Sequence, residues 1–209
     1  MNNQYTIRAE EPICPITEAD LSEYLRLDGG TGACQSLDIF MNAATRIAIS
    51  YLQRALIKQQ YTYLIDGVPY IGTKLRSKLS GSEVTYLDEI ELPFAGLIEL
   101  VSVKVIDKDG VEITVDPDSY VVDNVSVPTR IRFLSYGAIP MNDADRLKIV
   151  YDAGYGDDTE EVPEGIRLGL LTLAGYMYEH RGECAPATAL SKSGATLALK
   201  PYRISTGRI

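Results

Sequence analysis

The chain has no tryptophan and a single histidine, His180, among its 209 residues. Its three cysteines, Cys14, Cys34 and Cys184, are odd in number and far apart. A disulfide framework needs pairs, so a reduced setting is the expectation. One histidine and scattered cysteines cannot complete a four-ligand zinc site without carboxylates. No run reaches about 18 consecutive apolar residues, so no membrane-spanning helix is expected. The opening Met1-Asn2-Asn3-Gln4-Tyr5-Thr6-Ile7-Arg8 lacks a cationic start followed by an apolar stretch, and no signal peptide is expected. Positive charge is scarce too: 20 Lys and Arg face 29 Asp and Glu, a net of −9. Nucleic-acid affinity rests on neutralising phosphates, so this balance disfavours a protein that grips DNA. It suits one past which DNA slides. No Gly-x-Ser-x-Gly, His-Glu-x-x-His or paired-cysteine motif occurs.

What is present is an apolar fraction of 45%, enough for a real core in one domain or one domain carrying an insertion. Tyrosine occurs fourteen times, and its apolar ring with a polar tip suits surfaces buried on assembly.

The remaining chemistry weighs little. Gly29-Gly30-Thr31-Gly32 precedes a helix, yet position 35 is Gln35 and a helix, not a strand, comes before it. A turn between helices fits better than a phosphate cradle. His180 lies beside Glu179 with Cys184 four residues on, but Gly182 between them ends the shared helical face. A surface histidine at a helix C-terminus is the reading adopted. The clusters Asp88-Glu89-Glu91 and Asp157-Asp158-Glu160-Glu161 lack the alternation of a calcium loop and read as solvated acidic loops. No catalytic residue, metal ligand or cofactor is assigned.

Periodicity organises the rest. Thr17-Glu18-Ala19-Asp20 reads as a helix start, an N-capping Thr with an acid three residues later. Leu37, Phe40, Met41, Ala44, Ile47, Ala48, Tyr51, Leu52 and Ala55 hold helical spacing, as do Ile166, Leu170, Leu173, Ala174, Met177 and Tyr178 after Pro163. Helices are therefore expected over about residues 16–27, 35–58 and 163–181. Phe40, Ile47, Tyr51, Leu170, Leu173 and Met177 are expected in their core. Near residue 60 the period drops to two, with Tyr61, Tyr63 and Ile65 alternating. Strands follow over residues 97–105, 111–115, 120–122, 130–134 and 147–151, with Asp107-Lys108-Asp109-Gly110 as a hairpin turn. The fold class is thus α+β: a small helical bundle, an inserted antiparallel β unit or small sandwich, and an extended C-terminal tail. Residues 1–60 form the first helical part, residues 61–152 the insert, and residues 153–209 the completing helix and tail. The insert holds fifteen acids against nine bases, a net of −6, and so is the acidic part.

Several segments in series resemble the head-tail connector, or adaptor, proteins of tailed bacteriophages that carry a β insertion between helices. They are Pro15-Ile16-Thr17-Glu18-Ala19-Asp20-Leu21 and Ala43-Ala44-Thr45-Arg46-Ile47-Ala48, then Ile90-Glu91-Leu92-Pro93, Val101-Ser102-Val103-Lys104-Val105 and Asp116-Pro117-Asp118-Ser119-Tyr120. Val150-Tyr151-Asp152-Ala153-Gly154-Tyr155-Gly156-Asp157 with Val162-Pro163 is the most specific, followed by Tyr178-Glu179-His180-Arg181 and Leu199-Lys200-Pro201-Tyr202-Arg203. Residues 71–84 are more polar than the family pattern. The resemblance implies a homo-oligomeric ring of twelve subunits beneath the portal protein at the virion neck, assembled in the host cytoplasm. That ring extends the DNA channel without binding DNA specifically, touches no membrane, and meets a tail or stopper protein. It implies no enzyme. The alternatives are another neck or tail-completion protein, or a small metal-dependent enzyme using the acidic loops.

Residues 185–196 carry little apolar content, and Leu197, Leu199, Lys200, Pro201, Tyr202, Arg203 and Ile204 follow as a compact set. These seven are the candidate partner-binding residues. Removing residues 197–209 is expected to leave a folded, soluble subunit that fails to join the portal.

Overall fold

The computed structural model describes residues 5–27, 34–66, 73–76, 83–86, 89–134, 144–181 and 186–204. The chain divides into two compact units, one built from Glu11–Gln59 with Gly154–Ile209, the other from Met1–Glu10 with Gln60–Ala153.

In the first unit, α1 (Glu18–Tyr24) begins on a reciprocal cap. Thr17 Oγ1 accepts from the Asp20 N–H at 3.1 Å, and an Asp20 carboxylate oxygen accepts the Thr17 N–H at 2.8 Å. These bonds satisfy donors that a helix start leaves orphaned, and the backbone bond at Thr17 foremost holds the Asp20 carboxyl below its ordinary range. Helix α2 (Cys34–Leu52) stops six residues before the expected 58. Gln53 turns left-handed at φ 53°, and its side-chain amide donates to the Ser50 carbonyl at 2.7 Å. Ala55, Leu56 and Ile57 nevertheless stay buried in a non-helical stretch. The apolar spacing reported burial there, and the backbone changed beneath it. Helix α3 (Glu164–Glu179) follows Pro163, whose carbonyl accepts the Ile166 N–H at 2.9 Å. It ends at His180, ahead of Gly182, which lies outside the described residues.

The expected extended tail is helical where it is described. Helices α4 (Pro186–Lys192) and α5 (Ala195–Leu199) fold back, joined through Gly194 at φ 79°. Ala189, Ala195 and Leu199 are buried in one cluster with Leu37, Leu170 and Leu173, and Ile204 is buried as well. Two short helices broken by a left-handed glycine share no single period, so their apolar positions do not form a stripe in the sequence.

The buried edge of α2 is Leu37, Met41, Ala44, Ala48 and Leu52, and Leu170 and Leu173 are fully buried on α3. Ile47, Tyr51 and Met177, expected in the core, are only half-buried at its rim, and Phe40, also expected there, is half-buried. Phe40 meets the Tyr178 ring edge-on at 5.8 Å.

The second unit is built of antiparallel pairs. A five-stranded sheet has the order β1 (Tyr5–Ala9), β2 (Gln59–Asp66), β10 (Ala144–Ala153), β6 (Leu97–Asp107), β7 (Glu112–Thr114). A three-stranded sheet has the order β5 (Glu89–Glu91), β9 (Arg130–Phe133), β8 (Tyr120–Asp123), and β3 (Thr73–Arg76) pairs with β4 (Glu83–Tyr86). Strand β1 lies within residues 1–60, the stretch expected to form the first helical part. Alternation on β2 buries Gln59, Tyr61, Tyr63 and Ile65, and the Tyr61 ring stacks on Phe94 at 5.0 Å and Tyr151 at 5.6 Å. The Tyr151 hydroxyl donates to the Pro93 carbonyl at 2.5 Å, and burial pushes both phenols well above their ordinary range. The β6–β7 turn is held by Asp107 Oδ1, which accepts from the Asp109 and Val111 N–H groups at 2.9 and 2.8 Å, with Gly110 at φ 82°.

Candidate assembly surface

The C-terminal arm is locked onto the helices that precede it. Leu199 fills the notch left by Gly169: a methyl placed there would sit 2.7 Å from Leu199 Cδ2. Tyr202 uses Gly165 in the same way, its hydroxyl 2.7 Å from where a methyl would be. The Arg203 guanidinium lies over the Tyr51 ring at 4.9 Å, a cation–π contact. Arg54 caps Tyr155 similarly at 5.1 Å, and burial raises the Tyr155 hydroxyl above its ordinary range.

Of the seven candidate residues, Leu199 and Ile204 therefore belong to the subunit's own core. Tyr202 is half-buried, while Arg203 is exposed with its guanidinium over Tyr51. Leu197, 81% exposed, lies outside with Lys200 and Pro201. Burial thus divides the seven: Leu199 and Ile204 are enclosed within the subunit, and the other five remain at or near its surface.

An open groove of about 390 Å³ between the end of α1 and α3 was not anticipated. Tyr24, Arg26, Thr172, Tyr176 and Glu179 wall it, and Arg26 is left-handed at φ 53°. It carried no sequence signal because its walls come from segments far apart in the chain.

The acidic clusters are held by protein partners. Glu89 binds Arg132 and Arg130, and Glu91 binds Arg130 at 3.2 Å. The Arg132 hydrogen bond foremost holds the Glu89 carboxyl below its ordinary range. Asp158 and Glu161 form a reciprocal cap, and Asp157 lies 3.8 Å from Lys58. Asp88 is outside the described residues. Among the described residues no three His, Cys, Asp or Glu side chains converge to hold a metal, and no helix is long and apolar enough to cross a membrane.

His180 caps α3: its Nδ1–H donates to the Tyr176 carbonyl at 3.0 Å, and its ring stacks on Tyr176 at 4.0 Å. Cys14 is a free thiol that accepts from Thr45 Oγ1 at 3.1 Å, and burial pushes its pKa up. The side chains of Cys34 and Cys184, and the glycines of residues 29–32, lie outside the described residues.

No protein-family model matches the chain, and no curated protein matches it. Solved structures do. A chain from the neck of an empty GTA particle, computed with C6 symmetry, superimposes with a TM-score of 0.72 at 20% identity, covering 99% of this chain and 100% of that one. A chain from the virion of a native gene transfer agent particle gives 0.66 at 20% identity over 96% of each chain. A chain from the neck of a native GTA particle, computed with C12 symmetry, gives 0.65 at 20% identity, covering 97% and 100%. From end to end, the chain has the fold of subunits found in the neck and virion of gene transfer agent particles.

Proposed function

We propose that this chain is a head-tail connector subunit of a phage-like particle. Copies form a ring at the neck beneath the portal protein, extend the DNA channel and join the capsid to a tail or stopper protein. The observation that carries this reading is the near-complete overlap with chains from necks computed with C6 and C12 symmetry. A ring of twelve copies suits both symmetries, and a closed ring needs head-to-tail contacts between identical subunits. The net charge of −9 suits a channel wall that passing DNA does not stick to. The work is structural and not enzymatic, and it is done by surfaces. Leu197, Lys200, Pro201, Tyr202 and Arg203 form the face of the C-terminal arm that meets the portal, its two cations matched to an acidic partner.

The test is electron microscopy of purified particles carrying a labelled copy of this chain. A labelled ring between capsid and tail is the expected result. Label on the capsid faces or the tail tip, or none in the particle, overturns the reading.

A further inference from the structure

Strand β6 carries two β-bulges in its first half. Opposite it on β10, Val150 pairs with Ser102 and Tyr151 with Leu100, leaving Val101 without a partner. Asp152 pairs with Glu99 and Ala153 with Leu97, leaving Ile98 unmatched in the same way. Bulges turn side chains out of the regular alternation. Here they put two large apolar side chains in water, with Ile98 43% and Val101 49% exposed.

The same stretch is an open edge. Strand β7 covers β6 only at Lys104, Val105 and Ile106, and the Val115 N–H reaches Val103. Among the described residues no strand lies beside residues 97–102 on the side away from β10. The far end of the same sheet is β1, which among the described residues pairs only with β2. Its five residues, Tyr5-Thr6-Ile7-Arg8-Ala9, contain no proline and a single charge. An unguarded edge of that kind accepts another strand.

We propose that β1 of one copy adds to residues 97–102 of the next, so that the five-stranded sheets continue from subunit to subunit. This rests on the ring reading above and names the contact that closes the ring. The two open edges sit at opposite ends of one sheet, which is the arrangement a head-to-tail interface requires. They are similar in length, and Arg8 on one is complementary to Glu99 on the other. Ile98 and Val101 become buried at the joint.

The test uses the full chain assembled on portal-bearing capsids. Arg8→Cys and Glu99→Cys are introduced together and singly, and oxidised particles are run on non-reducing gels. A ladder of covalent oligomers from the pair, lost on reduction and absent from the single variants, is expected. In parallel, amide exchange of the unmodified protein is expected to slow by about tenfold or more on assembly, at residues 5–9 and 97–102 together. Rings at the neck with no ladder, from this pair and from Arg8→Cys with Val101→Cys, and with unchanged exchange, overturn the edge contact and leave the ring reading standing. The bulges are then guards against edge pairing. Unmodified particles with no ring of this chain overturn the ring reading and the edge contact with it.

Discussion

Ile204 donates its backbone N–H to the Leu52 carbonyl at 3.0 Å. The last described residue of the chain is thereby tied to the final residue of α2, and its side chain is buried. The C-terminal arm is thus part of the helical core, with Leu197, Lys200, Pro201 and Arg203 left exposed.

Substitutions along the arm should separate its enclosed positions from its exposed ones. Leu199 is fully buried and Leu197 is not. Leu199→Ala is expected to cost about 2–5 kcal/mol, and Leu197→Ala to stay within about 0.5 kcal/mol. Deleting residues 197–209 removes Leu199 and Ile204 and is expected to lower the melting temperature sharply. Thermal denaturation of the three variants checks this. A truncated chain melting like the full one would mean that the arm is not core.

Two glycines on α3 should respond oppositely to alanine. Helix propensity alone favours alanine by about 1 kcal/mol at both. At Gly169 the added methyl meets Leu199 Cγ and Cδ2 at 2.8 and 2.7 Å, and Leu199 is fully enclosed. Overpacking of that kind costs about 1–3 kcal/mol, so Gly169→Ala is expected to destabilise. At Gly175 the nearest atom is on the Tyr24 ring at 3.0 Å, and Tyr24 is exposed enough to swing aside. Gly175→Ala is expected to be neutral or stabilising in urea titration.

A pH dependence is expected at Glu112. Lys104 and Lys148 are directly opposite on β6 and β10, a like-charge pair that repels. Glu112 on β7 joins them, accepting from Lys104 Nζ at 2.8 Å and Lys148 Nζ at 2.6 Å. The Lys104 bond foremost, then that of Lys148, lowers its carboxyl from 4.5 to about 2. The folded value lies below the unfolded one, so the contribution is present above pH 4.5 and is lost as pH falls towards about 2. Glu112→Gln is expected to melt lower than the parent at pH 7, with the gap closing as pH falls through that window. A gap that stays constant down to pH 2 would remove Glu112 from the explanation.

Local patterns in the sequence were enough for much of the fold. The Thr17–Asp20 cap, the stripe from Leu37 to Leu52, the alternation at Tyr61, Tyr63 and Ile65, and the Asp107–Gly110 turn each involve residues a few positions apart. Their hydrogen bonds and shared faces follow from backbone geometry alone. The serial motifs likewise carried the resemblance, and the fold shared with neck chains agrees with it.

Tertiary contacts decided the rest. Helix α2 ends at Leu52 although apolar spacing runs on, because a buried residue needs contact with the core and not a helical backbone. The split of the C-terminal set follows the same rule, since a subunit's own core and a partner's surface demand the same apolar chemistry. Only the notch at Gly169 shows which of the two Leu199 meets. The bulges at Ile98 and Val101, and the addition of β1 to β2, depend on register between segments far apart in the chain. Register is fixed by which faces pack and which edges pair once the chain has folded, and no short stretch of sequence records it.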